Sequence, residues 1–162
     1  MQGATGGRAG RAESSTHERG QSLVEFAVSL IFLMTLLAGI LDLGRAFSVY
    51  VQLHDAAQEG ALYGSIARDY GEPETSVIAR VEQRVRESSN RPIDLEGDPN
   101  VQIEVNLIDL NGSGDWCAEN GVLVKVTYTF PIAAPFLGKI LGGQTFQLPA
   151  AVQDTILRPP CP

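Results

Sequence analysis

The sequence predicts an α+β chain: a long N-terminal membrane-spanning helix continuing as a stalk, a second short helix, and a small antiparallel β-sheet. Three observations predict it. FAVSLIFLMTLLAGIL, residues 26–41, is an uncharged apolar run. The residues after it keep helical spacing with no stop signal, and beyond residue 100 the apolar period changes from helical to two. The chain has 162 residues, enough for one small domain and an anchor but not for two sizeable cores.

Residues 1–20, rich in Gly, Ala, Ser and Arg, hold no large apolar side chain besides Met1, so they should form a disordered basic leader. From Ser22 the pattern turns helical. Between Leu23 and Leu41 the only charge is Glu25, and a helix of that length is about 28 Å long, near the hydrocarbon thickness of a bilayer. Residues 21–41 are therefore read as a single transmembrane helix. A secretory signal would have a shorter apolar core ending in a small-residue cleavage site, and its helical pattern would not continue beyond.

The continuation runs to about Ala67. Phe47, Tyr50, Val51, His54, Ala57, Ala61 and Tyr63 recur at spacings of three and four, interleaved with Gln52, Asp55, Gln58 and Glu59. The first set is expected on the buried face, except that His54 could be exposed or packed, and the second in water. Gly71 and Pro73 break the helix. A second helix is expected over 74–88, with Val77, Ile78, Val81 and Val85 on its apolar face. Strands follow at VQIEVNLID (101–109) and VLVKVTYTF (122–130), joined through the turn signal NGSGD (111–115). A third strand lies in QTFQLPAAVQDTIL (144–157), where Pro149 suits an edge position. Before it, IAAPFLGKILGG (132–143) is an apolar excursion with flexible ends. The sheet needs a cover for its apolar face, and the amphipathic helices can supply it.

Charge orients the chain. Arg8, Arg11 and Arg19 balance Glu13, Glu18 and Glu25, so the whole net charge of −7 belongs to residues 42–162. Basic residues flanking a span stay cytoplasmic. The reading is thus a single-pass protein of the cytoplasmic (inner) membrane, with a cytoplasmic N-terminus and residues 42–162 as an extracytoplasmic α+β domain. No cluster of Lys and Arg suited to phosphate is present, which argues against nucleic acid as a partner. Cys117 and Cys161 both fall in the part assigned to the outside, where an oxidising compartment would let them pair. That disulfide would contribute about 4 kcal/mol in the chain-entropy model; two unpaired thiols are the alternative.

RGQSLVEFA (19–27), the span, GILDLGRAF (39–47) and AAQEGALYGSIA (56–67) together resemble the TadE-like family, minor pilins or pseudopilins of the tight-adherence branch of type IV pilus systems. In that family a glycine precedes a cleavage point, a glutamate lies five residues after it, and an aromatic follows. Gly20, Glu25 and Phe26 hold those places here, with Gln21 becoming the first mature residue; Phe26 replaces the tyrosine usual in major pilins. The D-x-G-R and A-x-E-G-A motifs fall on Asp42, Gly44, Arg45 and on Ala57, Glu59, Gly60, Ala61. The resemblance implies a pilin-like fold and a part in assembling tight-adherence (Flp-type) pili. The partners it implies are a prepilin-type peptidase, an assembly platform, other pilin subunits and the lipid bilayer, with no cofactor and no metal. Glu25 would pair with the new α-amine of a neighbouring subunit, and Asp42, Arg45, Glu59 and Gly60 become candidate partner contacts.

Each of these residues also has a plainer reading. Ser22-Leu-Val-Glu25 fits a capping box at a helix start, Gly20 fits a flexible leader, Asp42 and Arg45 fit an i,i+3 interfacial pair, and Glu59 fits a surface charge. Gly39 and Gly44 are not at G-x-x-x-G spacing. His17 and His54 stand apart, and there is no H-E-x-x-H, C-x-x-C, G-x-S-x-G or phosphate loop, so no enzymatic activity is expected. The competing functional reading is a single-span, membrane-anchored extracytoplasmic binding module with no pilus role.

Overall fold

The structure, a computed structural model, describes residues 15–69, 71–110, 112–134, 137–140, 142–158 and 160. Among these, helix α1 (Ser15–Ile66) is followed by α2 (Glu74–Glu87), β1 (Val101–Ile108), β2 (Gly121–Pro131), the short α3 (Leu137–Ile140) and β3 (Thr145–Thr155). The expected class is observed, with the long helix, second helix and three strands in the expected order; the short α3, inside the apolar excursion, was not expected. The chain divides into two units, residues 1–38 and 39–162.

In the first unit, α1 starts at Ser15, not at Ser22. Ser15-Thr-His-Glu18 repeats the S-x-x-E start spacing, and Gly20 alone is too weak a breaker to stop a helix. Residues 15–20 are thus helical where disorder was expected, and Ser22 and Glu25 lie inside the helix, not at its cap. Residues 1–14, with Arg8 and Arg11, lie outside the described residues, as does Cys161. From Gly20 to Met34 every side chain is exposed, and the helix from Gly20 to Ile66 is long and apolar enough to cross a membrane. The Thr35 hydroxyl donates to the Ile31 carbonyl at 2.9 Å, which satisfies a polar group where lipid would offer no partner.

In the second unit the strands form one antiparallel sheet in the order β1-β2-β3. Pro149 sits on an edge strand opposite Thr127, where its missing N–H is tolerated. Val122, Val124, Val126, Tyr128 and Phe130 of the central strand are buried on the face the alternation assigned. Val77, Val81 and Val85 of α2 cover part of that face, again as expected.

The stalk face differs from expectation. α1 buries Ala46, Val49, Leu53, Ala56, Ala57 and Ala61, while Phe47, Tyr50, Val51 and His54 are exposed. The reason is close approach. A Cβ on Gly60 would overlap the Val85 side chain and come within 3.3 Å of Val124, and one on Gly64 would come within 3.2 Å of Val122 and 3.3 Å of Val81. The helix seats its small residues on α2 and the sheet and turns its large ones outward. Gln52, expected in water, is buried because its amide bonds the chain at Ile93: it accepts from Ile93 N at 3.0 Å and donates to Ile93 O at 2.7 Å.

The turn at 111–115 closes where glycines permit it. Gly112 and Gly114 have φ of +77° and +66°, the left-handed region open to glycine. Their amides donate to the two oxygens of Asp109 at 2.8 and 3.0 Å. Buried Asn120 then ties three segments: it accepts from Leu110 N, donates to Asp115 O, and offers its carbonyl to Ile156 N.

Candidate functional site

Two sets of residues carry the candidate function, one in each unit. In the first unit, Gly20, Gln21, Glu25 and Phe26 lie along α1 with exposed surfaces. Among the described residues no atom lies within 4 Å of where a Cβ on Gly20 would stand, so none of their contacts requires glycine there. Glu25 is followed at once by exposed apolar side chains, among them Phe26, Val28, Ile31 and Phe32. A carboxylate at that place is unfavourable in lipid by up to about 3 kcal/mol, less near the interface.

In the second unit, the D-x-G-R motif faces inward. Asp42 is 8% exposed, and its Oδ2 accepts from Ala133 N at 3.1 Å and Ala134 N at 2.7 Å. Its Oδ1 accepts from Arg45 at 3.1 Å. The Arg45 guanidinium in turn lies 5.3 Å from the centroid of the Phe130 ring. A carboxylate bonded to two backbone amides and a guanidinium is a strong local clamp. It fastens the start of the β2–β3 connection to the helix, so both residues are already engaged within the chain.

The A-x-E-G-A motif is likewise occupied. Glu59 pairs with Arg84 of α2 at 2.7 Å, both about half exposed, and such a surface pair contributes only about 0–1 kcal/mol. Gly60 is buried against Val85 and Val124, which removes it from any surface a partner could reach. Cys117 is buried and disulfide-bonded.

Sequence reading missed the anchor at the other end of the unit. Arg68 pairs with Asp115 and donates to Trp116 O at 2.7 Å, while the indole N–H of buried Trp116 donates to Gly64 O at 3.1 Å. The Arg68 hydrogen bond, helped by the Trp116 amide, holds the Asp115 carboxyl below its ordinary range. Glu72 is held low in the same way, first by the Ser76 hydroxyl and then by Arg80. The lone tryptophan directly after a glycine turn was the available signal. Among the described residues no group of three or more His, Cys, Asp or Glu could hold a metal ion.

The model of the TadE-like protein family matches residues 20–62. The match begins at the glycine before Gln21 and ends in the packed part of α1, so it takes in both sets of residues and none of the sheet. No curated protein and no solved structure matches the chain.

Proposed function

With residues 20–62 TadE-like as the premise, we propose that this chain is a minor pilin or pseudopilin-like membrane protein that takes part in assembling tight-adherence pili. It acts as a substrate and a subunit, not as a catalyst. The observation that carries the reading is the placement of Gly20, Gln21, Glu25 and Phe26 at the head of an exposed apolar helix stretch. A prepilin-type peptidase cuts after Gly20 on the cytoplasmic side, and the domain from residue 42 onward lies outside the inner membrane.

Cleavage changes the local chemistry. With the helix beginning at Gln21, Ser22 and Glu25 come to its first turn, where the S-x-x-E spacing can satisfy free amides. The new α-amine of Gln21 is a cation in reach of Glu25 on a neighbouring subunit. Pairing two charges in a medium of low dielectric removes two unfavourable groups together and fixes the register of one subunit against the next.

The test is Glu25→Gln in cells that assemble pili. The variant should still be processed and inserted but should lose pilus assembly at least tenfold. Normal assembly by a processed Glu25→Gln protein would leave the charge pair without a role. A membrane-anchored binding module would be indifferent to this substitution.

A further inference from the structure

We propose that the outer edge of β1 docks a second copy of this chain, whose own β1 pairs with it antiparallel across a twofold axis and joins the two sheets into one. The hydrogen-bond pattern shows which backbone groups are available. In an antiparallel ladder, residues that exchange bonds with the partner strand alternate with residues that exchange none. Thr129 N donates to Asn100 O at 3.1 Å, one step beyond the pairing of Val101 with Tyr128. Gln102, Glu104 and Asn106 therefore turn their N–H and C=O toward β2, and Ile103, Val105 and Leu107 turn theirs away from the sheet. Among the described residues no strand lies beyond β1, and none of these outward groups has a hydrogen-bond partner.

The opposite edge is protected by the same alternation. Ile132 N donates to Gln144 O and Ile156 N donates to Asn120 O, both at 2.8 Å, so the even-numbered residues of β3 face β2. Pro149 therefore turns its nitrogen outward and has no N–H to offer there. Proline at such a place blocks the addition of another strand, and β1 contains none.

The open edge is complementary to itself. With the axis at Val105, Ile103 of one copy faces Leu107 of the other and Val105 faces Val105, so each outward N–H and C=O of these residues finds a partner. Ile103 and Leu107 are only partly buried in one copy, and cross-strand apolar neighbours would cover them further. On the other face Glu104, held by Lys125 at 3.0 Å, meets the exposed Asn106 of the second copy, whose amide can donate to it. An axis at Glu104 would set two carboxylates directly opposite each other. An axis at Ile103 would call on Val101 N, which already donates to Asp98 O at 3.2 Å. Charge and backbone accounting thus select the same register, and a twofold contact of this kind closes on itself as a dimer.

Sedimentation equilibrium of the full chain in density-matched detergent tests this, with the fluorescence of buried Trp116 checking that each variant is folded. The wild type should be a dimer. Asn106→Glu sets like charges opposite each other across the axis and should weaken the dimer at least tenfold, whereas Asn106→Lys, facing Glu104, should not weaken it. Ala151→Glu, exposed on the strand that Pro149 protects, should leave it unchanged. A wild type that stays monomeric at every concentration would overturn the proposal. So would a dimer indifferent to Asn106→Glu, which would be held together elsewhere, or one that Ala151→Glu weakens equally.

Discussion

The two stretches of α1 solve opposite problems with the same backbone. Residues 20–38 present large apolar side chains and bury almost nothing. Residues 39–66 place Ala, Gly and Val against α2 and the sheet, with Gly60 and Gly64 at the closest approaches. One stretch leaves its apolar surface for an outside medium, and the other derives its stability from contact distance. Helical periodicity reports that a helix has an apolar side; residue size decides which side packs.

The contrast can be broken most strongly at Gly60. Gly60→Leu forces a branched side chain into Val85 and Val124, and overpacking of that kind should destabilise by on the order of 3 kcal/mol. Denaturant unfolding of the detergent-solubilised protein, followed by Trp116 fluorescence, measures it. Asp42→Ala should cost about 2 kcal/mol, because it strips the Ala133 and Ala134 amides and Arg45 of their acceptor. Hydrogen exchange should show the loss first at those two amides.

Acid should loosen the second unit next. Asp115 and Glu72 have folded pKa values below their ordinary ones, so the stability they add is present above the unfolded carboxylate pKa, about 4. It is lost as pH falls through their lower folded values. The denaturation midpoint should fall as pH drops below about 4, and Arg68→Gln should flatten the part due to Asp115. The smallest effect belongs to Gly44, where a Cβ meets nothing within 4 Å. Gly44→Ala should leave stability unchanged or raise it by up to about 1 kcal/mol through helix propensity. A loss at Gly44 as large as that at Gly60 would erase the distinction between open and packed positions on this helix.

Much of the fold was legible. Alternation in 101–109 and 122–130 located both strands to within a residue at their ends and set their buried faces, and Pro149 marked the edge strand, because the period-two pattern of a half-buried sheet leaves little ambiguity. The stalk face was misread because Phe47 and Tyr50 carry more apolar weight than Ala56 or Gly60, although only small residues allow the approach seen. Asp42, Arg45 and Glu59 were picked out as candidate partner contacts, and the structure shows them bonded within the chain. Their partners, the amides at 133–134, Phe130 and Arg84, come from distant sequence and carried no local signal. Gln52 and Arg68 were hidden for the same reason: a polar residue on a helix looks solvated until a loop folds over it.

The stretch from Gly20 to Phe26 differs from all of these, since its proposed role needs other molecules. The most direct test of that role is the mass of the protein extracted from the membranes of cells that assemble pili. The account predicts a mature chain beginning at Gln21. A chain that still carries residues 1–20 in cells with normal pili would contradict it.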